Sequence, residues 1–250
     1  MMNTRQKNIL SIVNDKNIVT LQELVLICGV SEATIRRDLA YLEDKNFIYR
    51  THGGAAKRSS TRGVESTFDS KKGEYVLDKQ NVAKYVSDNV IANGQTIYLD
   101  VGTSTYDMID YLKDKKITVV TNSVYHLRKL SAFKIYTIIL GGIVKHSTQA
   151  VVGAFALEQL SKYSFDACFI GCNGIDHNFG ISTADEQEAY LKKQALSNSK
   201  KKYILADVSK FGYRKFQKFA DLDDATIISY TVPDDFKNYY NIIEIKKEDN

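Results

Sequence analysis

With 250 residues, 44% of them hydrophobic and 26% charged, the chain has material for one large domain or two unequal ones and the composition of a globular protein, which excludes disordered, collagenous and fibrous-repeat readings. No run approaches the roughly 18 apolar residues of a membrane helix, the first ten residues lack a signal-peptide pattern, and three cysteines, Cys28, Cys168 and Cys172, are too few and too odd for a disulfide framework, so a cytoplasmic protein without membrane contact is expected. The net charge of +4 is concentrated in the first quarter: residues 1–62 carry 10 Lys/Arg against 6 Asp/Glu, and residues 63–250 carry 24 against 24.

A basic head on a balanced body suits a polyanion, because Lys and Arg release condensed counterions from nucleic acid. On charge alone, ordinary scatter explains it equally well. The pattern of residues says more. Ile9, Ile12 and Val13 share one face of a first helix, and Leu21, Leu24 and Val25 mark a second, with Thr20 as its N-cap and Gly29 at its end. Ser31 caps a third helix in which Ile35, Leu39 and Leu42 form an inward stripe, leaving Ala33, Thr34, Arg36 and Arg37 on or near the outer face. Two helices joined by Cys28-Gly29-Val30 read as a helix-turn-helix, and the strand-like Phe47 to Arg50 followed by the turn Thr51-His52-Gly53-Gly54 reads as the wing of a winged helix.

From Ala55 to about Lys72 the apolar periodicity disappears, as in an interdomain linker. The domains are therefore drawn as a winged helix-turn-helix at 1–57, a linker at 58–74 and a sensor at 75–250. Beyond the linker, strand-like runs near 96–101, 117–121, 134–140, 165–171, 203–206, 225–229 and 242–245 alternate with helical ones near 104–112, 124–130, 154–161 and 185–197. Strands too apolar to face water, alternating with helices, predict an α/β domain with a mostly parallel sheet covered on both sides.

The third helix carries the most specific local signal. An exposed Thr-x-Arg-Arg at the start of a helix after a tight turn places a hydroxyl and two guanidinium forks where a recognition helix meets base edges and phosphates. The bland alternative is a solvated face on which Arg36 and Arg37 pair with Glu32 or Asp38. Arg50 and His52 on the wing are in reach of the DNA backbone or minor groove, although His52 reads equally well as a simple turn residue. In the body, Gly102-Thr103-Ser104-Thr105 joins an apolar strand to a helix, so that amides and hydroxyls converge in the form of an anion cradle. It lacks the Walker lysine and the Rossmann glycine pattern, so no nucleotide cofactor is indicated. Taken alone, such a turn is more often structural. Thr121-Asn122-Ser123, Gly141-Gly142 and Asn173-Gly174 also follow strands, and loops at strand carboxyl ends border the crevice where open parallel sheets bind ligands.

The run Val30-Ser31-Glu32-Ala33-Thr34-Ile35-Arg36-Arg37-Asp38-Leu39, followed by Arg50-Thr51-His52-Gly53-Gly54-Ala55, resembles the DNA-binding domain of the DeoR family of bacterial sugar-metabolism regulators. The resemblance spans about residues 3–232 through Asp100-Val101-Gly102-Thr103-Ser104-Thr105, Thr121-Asn122-Ser123, Leu140-Gly141-Gly142, Gly171-Cys172-Asn173-Gly174-Ile175, Thr183 with Glu188-Ala189 and Lys192, and Ala206-Asp207-Val208-Ser209-Lys210-Phe211. Asn17 in place of a usual glycine and the apolar Leu26-Ile27-Cys28 are its small departures. It implies a sensor domain resembling ribose-5-phosphate isomerase-like folds. The bound effector would be a phosphorylated sugar, with its phosphate over Gly102–Thr105 and its hydroxyls among Asp100, Asn122, Asn173, Glu188, Lys192 and Lys210. On spacing alone, Glu188 and Lys192 are a surface i, i+4 ion pair and Lys210 an exposed lysine.

The implied function is a repressor that binds double-stranded operator DNA as a homodimer or homotetramer, since paired half-sites multiply the specificity of one short helix. The competing reading is a sugar-phosphate isomerase with an accessory basic domain. Isomerisation needs a carboxylate base. The loop Ile170-Gly171-Cys172-Asn173-Gly174 lacks the paired acids of that enzyme, Asn173 cannot take a proton, and Glu188 is expected to be occupied by Lys192, so binding without turnover is preferred. Cys168 and Cys172 have no ligand neighbours at metal spacing and read as core residues; His126, His146 and His177 form no cluster, and no metal is expected.

Overall fold

The computed structural model describes residues 2–16, 18–45, 47–51, 53–57 and 67–245. It divides into two compact units, residues 1–60 and 61–250. In the first, α1 (Thr4–Lys16), β1 (Ile18–Thr20), α2 (Leu21–Cys28), α3 (Glu32–Asp44), β2 (Ile48–Thr51) and β3 (Gly54–Lys57) form a winged helix-turn-helix whose strands lie in the order β1-β3-β2. Thr20 caps α2 in a reciprocal capping box with Glu23, and Ser31 caps α3 through the Thr34 amide, so each helix begins where its first amides find acceptors. Ile9, Val13, Leu24, Ile35, Leu39, Leu42 and Ile48 fill the core, each contributing about 1.5–3 kcal/mol by leaving water. Asp38, on the inward side of α3, accepts from Arg5 at 2.5 Å and Gln6 at 3.0 Å and ties α1 to α3.

The second unit begins with α4 (Phe68–Lys72) and α5 (Val76–Asn89). Residues 68–72 are thus helical where the sequence pattern predicts linker: Thr67 caps the helix, and Phe68 is buried with its ring stacked 4.0 Å from that of Tyr125. One aromatic anchor suffices to fix a five-residue helix that periodicity is too short to reveal. Then follow β4 (Thr96–Leu99), α6 (Thr103–Met108), β5 (Thr118–Thr121), α7 (Val124–Ala132), β6 (Tyr136–Ile139), β7 (Ile143–Lys145), β8 (Ala150–Val152), α8 (Ala154–Ser161), β9 (Phe165–Gly171), β10 (Gly174–Asp176), β11 (Gly180–Thr183), α9 (Glu186–Ser197), β12 (Ser199–Leu205), β13 (Gln217–Ala220), β14 (Thr226–Ser229) and β15 (Ile242–Glu244).

Seven strands form one sheet in the order β15-β14-β12-β9-β4-β5-β6, and every neighbouring pair in it is parallel. Residues alternate between two cores: along β9, Ala167 and Phe169 face one and Cys168 and Ile170 the other, as expected of a sheet covered on both sides. Two smaller antiparallel groups, β7-β8 and β10-β11-β13, complete the unit. The strand order reverses between β4 and β9: the chain runs from β4 outward to β6, then returns to β9 and builds the other half. Loops leaving these two strands diverge, which opens a crevice at their carboxyl ends. No described helix is long and apolar enough to cross a membrane.

Candidate functional site

Each unit presents a candidate site among its described residues. On α3, Ala33, Arg36 and Arg37 are exposed and Thr34 half-buried. The Thr34 and Ser31 hydroxyls lie 2.9 Å apart, so the helix start is already bonded to itself. Arg36 forms the alternative pair, 2.7 Å from Glu32. An exposed i, i+4 pair holds only about 0.3–0.5 kcal/mol, so a phosphate displaces it readily. Arg37 makes no ion pair with a described residue. Arg50, on the wing, is exposed and 3.9 Å from Glu43; His52 lies outside the described residues.

In the second unit, a cleft open to solvent lies at the crevice between β4 and β9. Its wall is assembled from six stretches of the chain: Phe68, Lys71, Glu74 and Lys79; Val101 to Thr105; Thr148; Gly171 to Asn173; Glu188 and Lys192; and Leu205, Asp207 and Lys210. Of the residues singled out by sequence, Gly102, Thr103, Ser104, Thr105, Asn173, Glu188, Lys192 and Lys210 meet here. The Thr105 hydroxyl is spent on the loop itself, facing the Asp100 carbonyl at 2.7 Å and the Gly102 carbonyl at 2.9 Å. Those of Thr103 and Ser104, which also line the cleft, bond to no described residue.

Asp100 lies outside the wall, buried behind it, where one carboxylate oxygen accepts from the Gly171 amide at 3.0 Å and from Lys192. Burial works against the charge on Lys192, but the carboxylates of Asp100 and Glu188 outweigh it and hold the ammonium protonated. The expected surface pair of Glu188 and Lys192 is therefore corrected. The two are 4% and 3% exposed and bond elsewhere, Lys192 to Asp100 and Glu188 to Thr148 at 2.7 Å and Lys145 at 3.2 Å. Lys210, read from spacing as exposed, is largely covered and 3.3 Å from Asp207. Asn173 accepts from Thr183 at 2.8 Å, which turns its amide nitrogen free of that bond.

Thr121, Asn122 and Ser123 are fully buried and do not reach the cleft. Asn122 accepts from the Val101 amide at 3.0 Å and so supports the Gly102 loop. Gly141, Gly142 and Gly174 are also off the cleft; at Gly142 and Gly174 a Cβ would lie 2.5 Å from the carbonyls of Val152 and Tyr213, so packing accounts for these two glycines. The physical reason is strand order. β5 and β6 lie on the far side of β4 from β9, so the loop after β5 ends behind the Gly102 loop and the loop after β6 one strand further out. His126 packs under the same loop, its ring nitrogens 3.4 Å from the Gly102 carbonyl and 3.3 Å from the Thr121 hydroxyl, and burial depresses its pKa to about 3, so it is neutral.

Lys79 is a cleft residue that sequence reasoning passes over. It is 3% exposed on α5, and burial lowers its pKa, with Asp207 pulling the other way. The signal was present: Lys79 precedes Val82, Ala83 and Val86 at helical spacing, which puts a charged residue on an inward apolar stripe.

Two family models match the chain, the DeoR-like helix-turn-helix domain over residues 5–61 and the DeoR C terminal sensor domain over residues 75–230. The chain is 41% identical over 244 residues to a Bacillus subtilis (strain 168) protein named uncharacterized HTH-type transcriptional regulator FruR, covering 97% of this chain and 96% of that protein. It is 34% identical over 221 residues to the HTH-type transcriptional regulator GlpR of Haloferax volcanii, covering 88% and 86%. It is 30% identical over 250 residues to the lactose phosphotransferase system repressor of Staphylococcus aureus (strain NCTC 8325 / PS 47), covering 96% and 98%. Among solved structures, ribose 5-phosphate isomerase from Plasmodium falciparum overlaps 53% of this chain and 52% of its own with a TM-score of 0.40 and 19% identity. With a winged helix-turn-helix in one unit, a solvent-open cleft in the other and both family domains in order along one chain, the protein belongs to the DeoR family of DNA-binding transcriptional regulators.

Proposed function

We propose that the protein is a repressor of a sugar-metabolism operon whose grip on operator DNA is set by a phosphorylated sugar in the sensor cleft. The observation that carries this reading is the composition of the cleft: unbonded Thr103 and Ser104 hydroxyls beside the lysines 79, 192 and 210, with Glu188 and Asn173 as partners for sugar hydroxyls. Cations and neutral donors around one opening suit an anionic, hydroxylated ligand. The name of the lactose phosphotransferase system repressor supports both the sugar and the direction of control.

Binding occurs without turnover. Of the carboxylates on the cleft, Glu188 already accepts from Thr148 and Lys145, Asp207 is held by Lys210 and Ser209, and Asn173 cannot exchange a proton. On DNA the protein acts as a homodimer or homotetramer, with Arg36 and Arg37 of each copy on a half-site. Any DNA weakening by the effector is matched by an equal weakening of the effector by DNA.

The test is an electrophoretic mobility shift on DNA upstream of the gene and its neighbours, at fixed salt, with sugar phosphates and with their unphosphorylated parents. Wild type is expected to shift a fragment and release it only with a phosphorylated sugar, and the Arg36→Ala/Arg37→Ala variant to bind at least about tenfold more weakly with a flatter salt dependence. Release by the unphosphorylated parents at equal concentrations defeats the phosphate reading, and unchanged binding by the variant defeats the assignment of α3.

A further inference from the structure

The parallel sheet ends in two unlike edges. At one, β15 carries Glu244, which lies 3.8 Å from Lys237 and accepts from the Val232 amide at 3.0 Å. At the other, β6 pairs with β5 alone, and the run from Ile135 to Val144, through β6 and into β7, contains no charged residue. Sheet edges are ordinarily guarded against pairing with another chain by charges or proline, and β6 has neither.

The backbone of β6 is open in its middle. Leu140 donates to the Thr121 carbonyl of β5, so by alternation along the strand Thr137 and Ile139 turn their amides and carbonyls to the free side. Both ends of that side are closed within the chain: the Thr137 hydroxyl donates to the Ile135 carbonyl at 2.8 Å, and the Gly141 amide donates to Gln159 at 2.8 Å. The backbone groups of Thr137 and Ile139 meet no described residue there. Apolar side chains flank them. Tyr136 is 70% exposed at the start of the strand, and beyond its end Ile143 and Phe155 are 68% and 78% exposed. The Ile143 side chain lies over Gly153, where a Cβ would stand 3.7 Å from it, beside the start of α8 that carries Phe155. With Val144 these side chains offer on the order of 500 Å² of apolar surface along one edge, a large share of the roughly 800 Å² that each partner gives a stable interface.

A strand edge is matched by another strand, and a second copy supplies an identical one. Two copies about a two-fold axis set β6 antiparallel to β6, so that each gives the other the donors and acceptors it lacks, in a contact that closes on itself. The uncharged strip then meets itself without burying a charge. We propose that the free edge of β6 is the surface through which two copies associate, joining their sheets into one. This rests on the protein acting on DNA as a homodimer or homotetramer, and says where the copies meet.

The experiment is light scattering of the full chain over a range of concentrations, with amide hydrogen exchange followed along β6. Wild type is expected at two or four times the chain mass, with the Thr137 and Ile139 amides protected in the assembly and exchanging faster as dilution dissociates it. Tyr136→Lys/Ile143→Lys places charge on side chains that are exposed in the single chain. It is expected to melt as the dissociated wild type does, to associate about a hundredfold or more weakly, and to show half the wild-type mass. Phe155→Lys repeats the test outside the strand, so that a strand variant unable to fold does not decide the matter. Tyr240→Lys, at an aromatic residue 85% exposed elsewhere, is expected to keep the wild-type mass. Wild-type mass in the edge variants overturns the assignment of β6 and leaves the oligomer reading standing; halved mass in Tyr240→Lys as well overturns it as unspecific. Free exchange of the Thr137 and Ile139 amides in the assembled wild type overturns the strand pairing. If wild type is a monomer at every concentration, the oligomer reading falls, and this inference with it.

Discussion

Asp100 shows how one side chain can shape a cleft it does not line. Its carboxylate holds the Lys192 ammonium and the Gly171 amide, so it joins α9 to the end of β9 beside the Gly102 loop. Asp100→Asn leaves a buried ammonium without its counter-charge and is expected to lower the unfolding free energy by about 3–5 kcal/mol. Combining it with Lys192→Met removes both charges and should recover most of that loss in urea denaturation while leaving the effector response abolished. Recovery of neither would show that the pair is held by something other than mutual neutralisation. Motif reading found both residues but mispaired them: spacing along a helix sets Glu188 against Lys192, whereas the tertiary fold brings Asp100 and Lys145 to them from other elements. Lys79 was hidden for a related reason, since a lysine on an apolar stripe weakens the periodicity by which the helix itself is recognised.

Among the elements, those with strong local chemistry were legible and those fixed by tertiary contact were not. α2 and α3 announce themselves through Thr20, Gly29 and Ser31 and through the stripe of Ile35, Leu39 and Leu42. The parallel strands are readable as apolar runs. α4, the β7-β8 hairpin and the β10-β11-β13 group are too short for a period to register, and α5 is broken by its own polar positions. The wing adds a test of backbone packing. Gly54 opens β3 so close to β1 that a Cβ would stand 2.0 Å from the Val19 carbonyl. Gly54→Ala forces β1 and β3 apart and is expected to cost on the order of 1–3 kcal/mol in the first unit. Mobility shift should show DNA binding weakened, while the thermal shift produced by a sugar phosphate on the second unit is retained. Loss of both responses together would contradict the division of labour between the units.

At the scale of the whole molecule, His126 ties acid stability to the cleft. Its folded-state pKa of about 3 lies below the ordinary value of 6.5, so the unfolded chain binds a proton that the folded one refuses. Stability from this group is complete above pH 6.5 and is lost as pH falls toward 3, at about 1.4 kcal/mol per unit. Urea midpoints of wild type and His126→Gln, compared between pH 7 and 5, should therefore converge as the solution is acidified; parallel curves would show that the histidine is not buried neutral. The effector cleft was only partly legible for a reason that also belongs to this scale. Loops after strands are visible in a sequence, but strand order decides which of them meet, and so Thr121, Asn122, Ser123, Gly141 and Gly142 were gathered into a crevice from which β5 and β6 carry them away.

That strand order has a kinetic consequence. The pairing that forms the crevice joins Ile97 to Ala167 and Leu99 to Phe169, residues separated by the whole of β5 to α8. Closing so long a loop demands entropy before any contact repays it, so the pairing of β4 with β9 is expected to form late in folding. That same seam is where the cleft opens. Its opposing lips, Gly102 to Thr105 on one side and Gly171 to Asn173 on the other, are bridged by whatever molecule sits between them. A ligand held there would clasp the two sides of this long-range pairing together, and is expected to make the seam reopen less often.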